Sequence, residues 1–296
     1  MNKRLMLILN PSAGKGSGVK SLGKVLEILY LGGYLPTVYF TGGEGDATRL
    51  VLEQGHLYDC VTCIGGDGTL SETVAGLAQL ESPPLLGYIP QGTTNDVASS
   101  LKLPKSPAAA ARTIAWGKPV SLDVGRFNSE NYFTYIAAFG AFTEVSYETP
   151  KETKQTLGHL AYVLHAMTQL PKLTSYYTTV ECDDEVISGD LVFGSVSNSR
   201  SLAGLVKLDT STQELNDGLF EVILIKTPKS VLEMNEIVKD VLSRNFSGGQ
   251  VTMLKSKNVR FTFEQPVKWT RDGESGGAHR QVTLENINSA IKIMVN

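Results

Sequence analysis

The sequence is poor in cysteine and has no long apolar run, and each scarcity excludes a class of protein. Three cysteines are an odd number, which does not suit a disulfide framework and indicates a reducing compartment. No apolar run reaches the roughly 18 to 20 residues of a membrane-spanning helix. Only five apolar residues lie between Arg4 and Asn10, too few for the core of a secretion signal. The sequence therefore predicts a cytoplasmic protein.

The chain also lacks a basic excess and a zinc-binding pattern. Its formal net charge is −3 at pH 7, which argues against nucleic-acid binding. Its four histidines form no His-Glu-x-x-His pattern, and Cys60 and Cys63 fall in a predicted strand. Because residues three apart on a strand face opposite sides, we interpret both cysteines as core residues. The remaining composition, 42% hydrophobic and 19% charged over 296 residues, suits one large globular domain or two ordinary ones.

A predicted strand, a glycine-rich turn and a helix follow one another in the first half of the chain. The apolar run at 58–64 predicts a buried strand, and Thr69 and Glu72 have the spacing of a capping box, which predicts the start of a helix. Between them, Gly-Gly-Asp-Gly-Thr at 65–69 leaves backbone N–H groups able to face an anion at the positive end of the helix. Because Asp67 would repel a phosphate, it indicates a divalent cation between the two. We interpret the turn as a phosphate site; an ordinary strand-to-helix turn is the alternative.

The order of predicted elements indicates an α/β protein of two domains. Strand–loop–helix units repeat up to about residue 120, which is typical of a parallel sheet that binds ligands at the carboxyl ends of its strands. Many short strands with turn signals follow and predict an antiparallel domain. We therefore expect a Rossmann-like α/β domain at 1–122 and an antiparallel β-sandwich-like domain at 123–287, with the active site in the cleft between them. The sequence leaves open whether the last strand, 288–296, joins the first domain.

Several motifs in one order resemble the diacylglycerol kinase catalytic-domain family, and most closely its soluble bacterial lipid kinases. They are Asn-Pro-Ser-Ala-Gly at 10–14, Gly-Gly-Asp-Gly-Thr at 65–69, Gly-Thr-Thr-Asn-Asp at 92–96, Asn-Asp-Gly at 216–218 and Asp-Gly-Glu at 272–274. Segments of the second domain, such as 136–140 and 157–162, extend the resemblance over nearly the whole chain. NAD kinases and phosphofructokinases carry a related Gly-Gly-Asp-Gly loop but lack this combination.

The resemblance implies a site for ATP and Mg²⁺ in the first domain. Thr41 and Thr93 would contact the nucleotide, while Asn95 and Asp96 would brace their loop and the cation. The nucleotide-binding residues implied in this way are Asn10, Pro11, Ser12, Ala13, Gly14, Thr41, Gly65, Gly66, Asp67, Gly68, Thr69, Leu70, Ser71, Glu72, Thr93, Asn95 and Asp96.

Two late carboxylates are the candidates for the catalytic base. Phosphoryl transfer needs one residue to accept the proton of the attacking hydroxyl. The resemblance implies that Glu274 does so, with Asp272 as the rival, and a plain β-turn is the structural alternative.

The resemblance also implies a structural Mg²⁺ in the second domain. Its ligands would be Glu214, Asp217 and Leu219, the last through its backbone carbonyl. A membrane-resident substrate further calls for basic surface residues, for which Lys15 and Lys20 are candidates; solvated loop lysines are the alternative. The family often has a lysine where this chain has His165, so docking at that position stays open.

These patterns together predict an ATP-dependent lipid kinase. We expect it to phosphorylate the free hydroxyl of diacylglycerol to phosphatidic acid, in phospholipid recycling. We expect a homodimer that contacts the inner face of the membrane transiently and binds no nucleic acid. The alternatives are another lipid, such as phosphatidylglycerol or a sphingoid base, a non-catalytic nucleotide- or lipid-binding regulator, and a kinase for a soluble metabolite such as NAD.

Overall fold

The computed structural model describes residues 2–129, 131–141, 173–183, 185–198, 201–202, 206–207, 216–243, 246 and 249–296. Three features that the sequence singled out lie outside these residues: the segment 157–162, His165 and Glu214. The side chain of Lys15 is also outside the described part.

A parallel sheet forms the centre of the first domain. Its strands are β1 (Lys3–Leu9), β2 (Tyr34–Phe40), β3 (Cys60–Gly65) and β4 (Leu85–Pro90), and they lie in the order β2-β1-β3-β4. The helices between and after them are α1 (Ser17–Leu31), α2 (Asp46–Gln54), α3 (Asp67–Leu77), α4 (Asp96–Ser100) and α5 (Pro107–Trp116).

The two faces of this sheet are covered by different helices. Leu5, Leu7 and Leu9 of β1 pack in one core with residues of α1 and α5. Met6 and Ile8 point to the other face and pack with residues of α2 and α3. Because both faces are covered, the strands are continuously apolar rather than alternating. Cys60 and Cys63 are buried free thiols, as expected of core residues, and burial raises the pKa of each to about 12.

Antiparallel strands form the second domain. They are β5 (Lys118–Phe127), β6 (Asn131–Phe133), β7 (Ile136–Gly140), β8 (Tyr176–Cys182), β9 (Glu185–Ser197), β10 (Ser201–Leu202), β11 (Val206–Lys207), β12 (Phe220–Lys226), β13 (Val251–Ser256), β14 (Asn258–Arg271) and β15 (Glu274–Val295), with helix α6 (Val231–Ser243) after β12. Strands β7 and β8 each pair with both β9 and β14, so the sheet wraps around its own core.

Aromatic side chains fill that core. The Phe139 ring lies 4.9 Å from Phe263 and 5.0 Å from Trp269, measured between ring centroids, and Phe261 lies 5.1 Å from Trp269. All of these side chains are buried. Such edge-to-face and tilted contacts add to the stabilisation from burial alone. This architecture confirms the predicted fold class.

The last strand runs through both domains. The first half of β15 pairs with β14 in the second domain, and its end pairs with β5. Ile293 pairs in parallel with Leu86 of β4, at the edge of the first sheet, and both side chains are buried. A single strand therefore ties the β-sandwich-like domain to the parallel sheet. The predicted separate strands at 258–263 and 267–270 are one strand, β14, which shifts register against β15 between Thr262 and Val267.

Candidate active site

Three loops meet at the carboxyl edge of the parallel sheet. The N–H of Asn10 donates to the carbonyl of Ile64 (3.0 Å), and that of Gln91 donates to the carbonyl of Gly65 (2.7 Å). The side-chain amide of Asn10 also donates to the hydroxyl of Thr69 (3.1 Å). Because β1, β3 and β4 are neighbours, the loops after them are held together by these bonds.

Two glycines let the backbones of these loops touch. A Cβ on Gly92 would lie 2.6 Å from the Cα of Gly66 and 2.8 Å from the side-chain oxygen of Asn95. A Cβ on Gly65 would lie 2.4 Å from the hydroxyl oxygen of Thr69. No side chain fits at these distances, so the two sequence motifs form one continuous surface.

Helix α3 begins three residues earlier than the capping box predicted, and that prediction is wrong. The helix starts at Asp67 with Gly66 at the N-cap, and no side chain caps it. The carboxylate of Glu72 instead accepts the N–H of Ala47 in α2 (3.1 Å). The bare glycine backbone takes the extended N-cap conformation, so Thr69 already lies within the first turn.

The start of α3 leaves backbone donors outside the hydrogen bonds of the helix. The first N–H with a partner at this end is that of Leu70, which donates to the carbonyl of Gly66 (3.1 Å). The N–H groups of Asp67, Gly68 and Thr69 precede this bond and lie at the positive end of the helix. The side chain of Leu70 is buried in the core, so it supports the loop from behind.

Asp67 has one carboxylate oxygen that is satisfied and one that is not. Its Oδ2 accepts the hydroxyl of Thr94 (2.9 Å), while its Oδ1 is buried and has no hydrogen-bond partner among the described residues. An unpaired buried carboxylate oxygen is costly, and a divalent cation with oxygen ligands would relieve that cost. Asp67 therefore fits the Mg²⁺ that its place in the sequence indicated.

Asn95 braces the loop after β4. Its side chain accepts the N–H of Gly92 (2.8 Å) and donates to the carbonyl of the same residue (2.9 Å). The hydroxyl of Tyr88 donates to the same Asn95 oxygen (3.2 Å). Asn95 has a positive φ of 50°, a conformation that asparagine tolerates better than most residues. The neighbouring Asp96 opens α4.

A cleft of about 360 Å³ lies between the loop after β1 and the loop after β4. Gly14 forms one wall, and Gly92, Thr93 and Thr94 form another. Lys105, in the loop before α5, also lines it. No sequence motif includes Lys105, so nothing in the sequence distinguishes it from other surface lysines.

The other predicted residues of this domain lie at the same sheet edge or on its surface. The N–H of Thr41 donates to the carbonyl of Leu9 (3.0 Å), which places Thr41 beside the first loop. Pro11 and Ser12 are exposed on that loop, and Lys20 is exposed on α1. No residue lining the described cleft comes from the Thr41 loop.

Asp272 joins the two domains and is fully engaged in hydrogen bonds. Its Oδ2 accepts the hydroxyl of Ser71 in α3 (2.9 Å) and the N–H of Thr134 (2.7 Å). Its Oδ1 accepts the N–H groups of Tyr135 (2.9 Å) and Ile136 (3.0 Å). Burial raises the pKa of Asp272, against the lowering effect of these four donors. Both oxygens of this carboxylate are therefore engaged, each with two donors.

Glu274 differs from Asp272 in its exposure and in its hydrogen bonding. It is exposed at the start of β15, and its carboxylate has no hydrogen bond or ion pair to the described residues. Its Oε1 lies 3.6 Å from the position that a Cβ on Gly68 would occupy. The second domain thus places a free carboxylate beside the glycine-rich turn of the first.

The described residues do not form the structural Mg²⁺ site predicted in the second domain. The Oδ2 of Asp217 is 3.0 Å from the ammonium of Lys255, and its Oδ1 accepts the N–H of Leu219 (3.0 Å). Within the described ranges, no three acidic, histidine or cysteine residues are grouped so that they could hold a metal. Since Glu214 lies outside them, the described residues do not test this set of ligands, and the site stays a prediction.

Asp123 is a buried carboxylate that the sequence analysis missed. It accepts the N–H groups of Gly218 (2.8 Å) and Ser289 (2.6 Å), and the side-chain amide of Asn288 donates to it (3.3 Å). Burial raises its pKa despite these donors. An aspartate inside the apolar run at 120–127 was the available signal. Asp123 thus holds the turn at 216–218 against β15 at Asn288 and Ser289.

None of the helices in the described part of the chain is long and apolar enough to span a bilayer.

The fold and the site define a class of two-domain phosphotransferase-like proteins, with glycine-rich loops on a parallel sheet and a carboxylate supplied by a β-rich partner domain. The profile of the diacylglycerol kinase catalytic domain matches residues 4–127, and that of the YegS C-terminal NAD kinase beta sandwich-like domain matches 138–295. The chain belongs to the diacylglycerol kinase family.

Proteins named diacylglycerol kinase are similar to this chain over nearly its whole length. The diacylglycerol kinase of Bacillus subtilis (strain 168) is 33% identical over 277 residues, 93% of this chain and 91% of that one. The diacylglycerol kinase of Staphylococcus saprophyticus is 35% identical over 282 residues, 94% of this chain and 90% of that one. The crystal structure of a proposed diacylglycerol kinase from Bacillus anthracis str. Sterne, 26% identical, has a TM-score of 0.82 and covers 99% of this chain and 95% of its own.

Proposed function

We propose that this protein is an ATP-dependent lipid kinase that phosphorylates the free hydroxyl of diacylglycerol to give phosphatidic acid for phospholipid recycling. The observation that carries the proposal is the position of Glu274, an unpaired carboxylate from the second domain beside Gly68 at the start of α3. A phosphate held by the first turn of α3 and a hydroxyl held by Glu274 would be neighbours. The names of the relatives support the choice of lipid.

The residues of the first domain would hold the nucleotide. The N–H groups of Asp67, Gly68 and Thr69 would donate to phosphate oxygens at the helix N-terminus. Mg²⁺, held by the free oxygen of Asp67, would offset the charge that develops on the transferring phosphoryl group. Leu70 and Glu72 would not contact the nucleotide, because Leu70 is buried in the core and Glu72 caps α2.

Glu274 would act as the general base. The lipid hydroxyl oxygen attacks the γ-phosphorus of ATP, its proton passes to Glu274, and the bond from that phosphorus to the bridging oxygen of ADP breaks. Asp272 would position Glu274 instead of competing with it, because its own oxygens are bound by Ser71 and by backbone donors of the second domain.

Access to the lipid would require peripheral contact with the inner face of the membrane. Lys20 is exposed in the first turn of α1, and Lys15 lies two residues before that helix begins. Both follow the loop that lines the cleft, so basic side chains there would meet anionic headgroups. We further propose that the protein acts in the cytoplasm as a homodimer.

Transfer of labelled γ-phosphate tests the proposal. Mg-ATP would be offered with diacylglycerol, phosphatidylglycerol, a sphingoid base or NAD, each lipid in mixed micelles. We expect label in phosphatidic acid, and its loss in Glu274→Gln with unchanged ATP affinity. Label in a different lipid would keep the mechanism and change the substrate, whereas ATP binding without any transfer would favour a regulator and contradict the proposal.

A further inference from the structure

Lys105 is the cation on the wall of the cleft. The cleft lies between Gly14 on one side and the loop from Gly92 to Asn95 on the other, and Lys105 lines it together with Ser99 and Leu103. No acidic residue is among the lining residues. The lining combines apolar residues such as Pro90, Ala98 and Leu103 with hydroxyl groups and one lysine, so the charge that it can offer a ligand is positive.

The loop that carries Lys105 is held at both ends. Leu103 is buried, and its N–H donates to the carbonyl of Ala98 (2.8 Å) in α4. On the other side, Ser106 is the N-cap of α5 and Pro107 its first residue. Lys105 therefore has a defined starting point for its side chain, which reduces the conformational entropy lost when it binds a ligand.

The ammonium group of Lys105 is not engaged elsewhere. Among the described residues it makes no ion pair, although acidic side chains such as Asp46, Asp217 and Glu285 each pair with a neighbouring basic residue. The hydroxyl of Thr94, on the same cleft, donates to Asp67, the residue that fits Mg²⁺. Thr94 thus links the lining of the cleft to Asp67.

We propose that Lys105 is a nucleotide-binding residue that contacts the phosphate chain of ATP in this cleft. This inference rests on the proposed use of ATP and adds a contact that the sequence motifs do not contain. Lysine is a compact point charge on a flexible stem, so it can follow the phosphates without the bidentate geometry that arginine requires.

Binding and turnover of the full chain test this role. The variants are Lys105→Ala and Lys105→Arg, with Lys102→Asn as the matched control: Lys102 is an exposed lysine of the same loop, does not line the cleft, and has a positive φ that asparagine tolerates. The Kd for Mg-ATP and for adenosine would be measured by calorimetry at low and high salt. The KM for ATP and for lipid would follow from the transfer assay.

We expect Lys105→Ala to raise the Kd and KM for ATP about five- to twentyfold at low salt, the range of one partly exposed charge-assisted contact. The effect should shrink at high salt, and adenosine affinity, lipid KM and the melting temperature should stay the same. Lys105→Arg should retain most of the affinity, and Lys102→Asn should match the wild type.

Unchanged ATP affinity in Lys105→Ala would overturn the inference, and so would an equal loss for adenosine. A rise in lipid KM alone would assign the lysine to a lipid phosphate headgroup and would also overturn it. Because the binding measurement needs no turnover, a wild type that binds ATP but transfers no phosphate would reject the proposed function while Lys105 is still tested. A wild type that binds no ATP would reject both.

Discussion

The hydroxyl of Ser71 donates a hydrogen bond of 2.9 Å to the Oδ2 of Asp272, across a sequence separation of 201 residues. Ser71 lies in the second turn of α3, directly after the glycine-rich turn, and Asp272 immediately precedes the turn to Glu274. The bond thus connects the proposed phosphate site to the element that carries the proposed base. It is the side chain contact through which the first domain sets the position of that element.

Removal of this hydroxyl should impair the chemistry more than nucleotide binding. In Ser71→Ala, the Asp272 carboxylate keeps its three backbone donors but loses its link to α3. We expect kcat to fall about three- to tenfold and the free energy of unfolding to fall by about 1 kcal/mol, the usual net value of one hydrogen bond. Steady-state kinetics and urea unfolding would measure both. Ser71→Thr, which retains the hydroxyl, is the control, and an increased Kd for ATP with unchanged kcat would contradict this role.

Thr94 should determine how strongly the site holds Mg²⁺. Its hydroxyl donates to Asp67 Oδ2 and leaves the buried Oδ1 without a partner among the described residues, so it orients the carboxylate for a metal. Loss of such an outer partner typically weakens metal affinity about 10- to 100-fold. We therefore expect Thr94→Val to need about tenfold more Mg²⁺ for half-maximal transfer, while Thr94→Ser behaves as the wild type. Equal Mg²⁺ titrations for all three would show that the hydrogen bond does not serve the metal.

Gly92 should tolerate no side chain. A methyl group there would meet the Cα of Gly66 at 2.6 Å, and backbone cannot move aside as a flexible side chain can. We expect Gly92→Ala to separate the two loops, to cost about 1 to 3 kcal/mol of stability and to raise the KM for ATP more than tenfold. Calorimetric melting and ATP titration would show this. Gly43→Ala is the matched control, because a Cβ at Gly43 has nothing within 4 Å and its φ is not positive. Similar losses in both variants would refute the steric argument.

Asp183 and Asp272 should affect stability with opposite pH dependence. Although burial acts to raise it, the pKa of Asp183 is lowered overall by donors from Lys257, Ser256 and Asn258. Its stabilisation is therefore present above the unfolded pKa of about 3.9 and is lost as the pH falls through the folded value. The raised pKa of Asp272 has the reverse effect: the folded state binds the proton more tightly, so this contribution to the free energy of unfolding decreases as the pH rises above about 3.9.

Unfolding free energies between about pH 2 and pH 7 check this difference, because the Asp183 effect falls mainly below about pH 4 and the Asp272 effect above it. The deficit of Asp183→Asn relative to the wild type should grow as the pH rises in the acidic range. The deficit of Asp272→Asn should shrink over the same range, because the wild type loses stability there and an asparagine does not titrate. Parallel profiles for the two variants would contradict the assigned pKa directions.

Local patterns were sufficient for the strands, the loops and their common edge. The apolar runs before Asn10, Gly65 and Gln91 indicate where β1, β3 and β4 end. Because these neighbouring strands pair in parallel, their ends meet at one edge of the sheet. Local pattern was misleading at Thr69 and Glu72, where the spacing fits a capping box but the glycine at 66 starts the helix first. Glu72 then became free to cap a neighbouring helix, a partner that lies 25 residues away in sequence.

The amino-acid sequence alone determined the alternation of strands and helices, the glycine-rich turns and the two candidate carboxylates, because periodicity and turn chemistry act over a few residues. Only the tertiary structure decided between those carboxylates. Asp272 and Glu274 are two residues apart and both carry a carboxylate, yet the fold surrounds one with four donors and leaves the other free beside Gly68. Partners brought together from positions 71 and 134–136 made that difference, and no local pattern around 272–274 contains them.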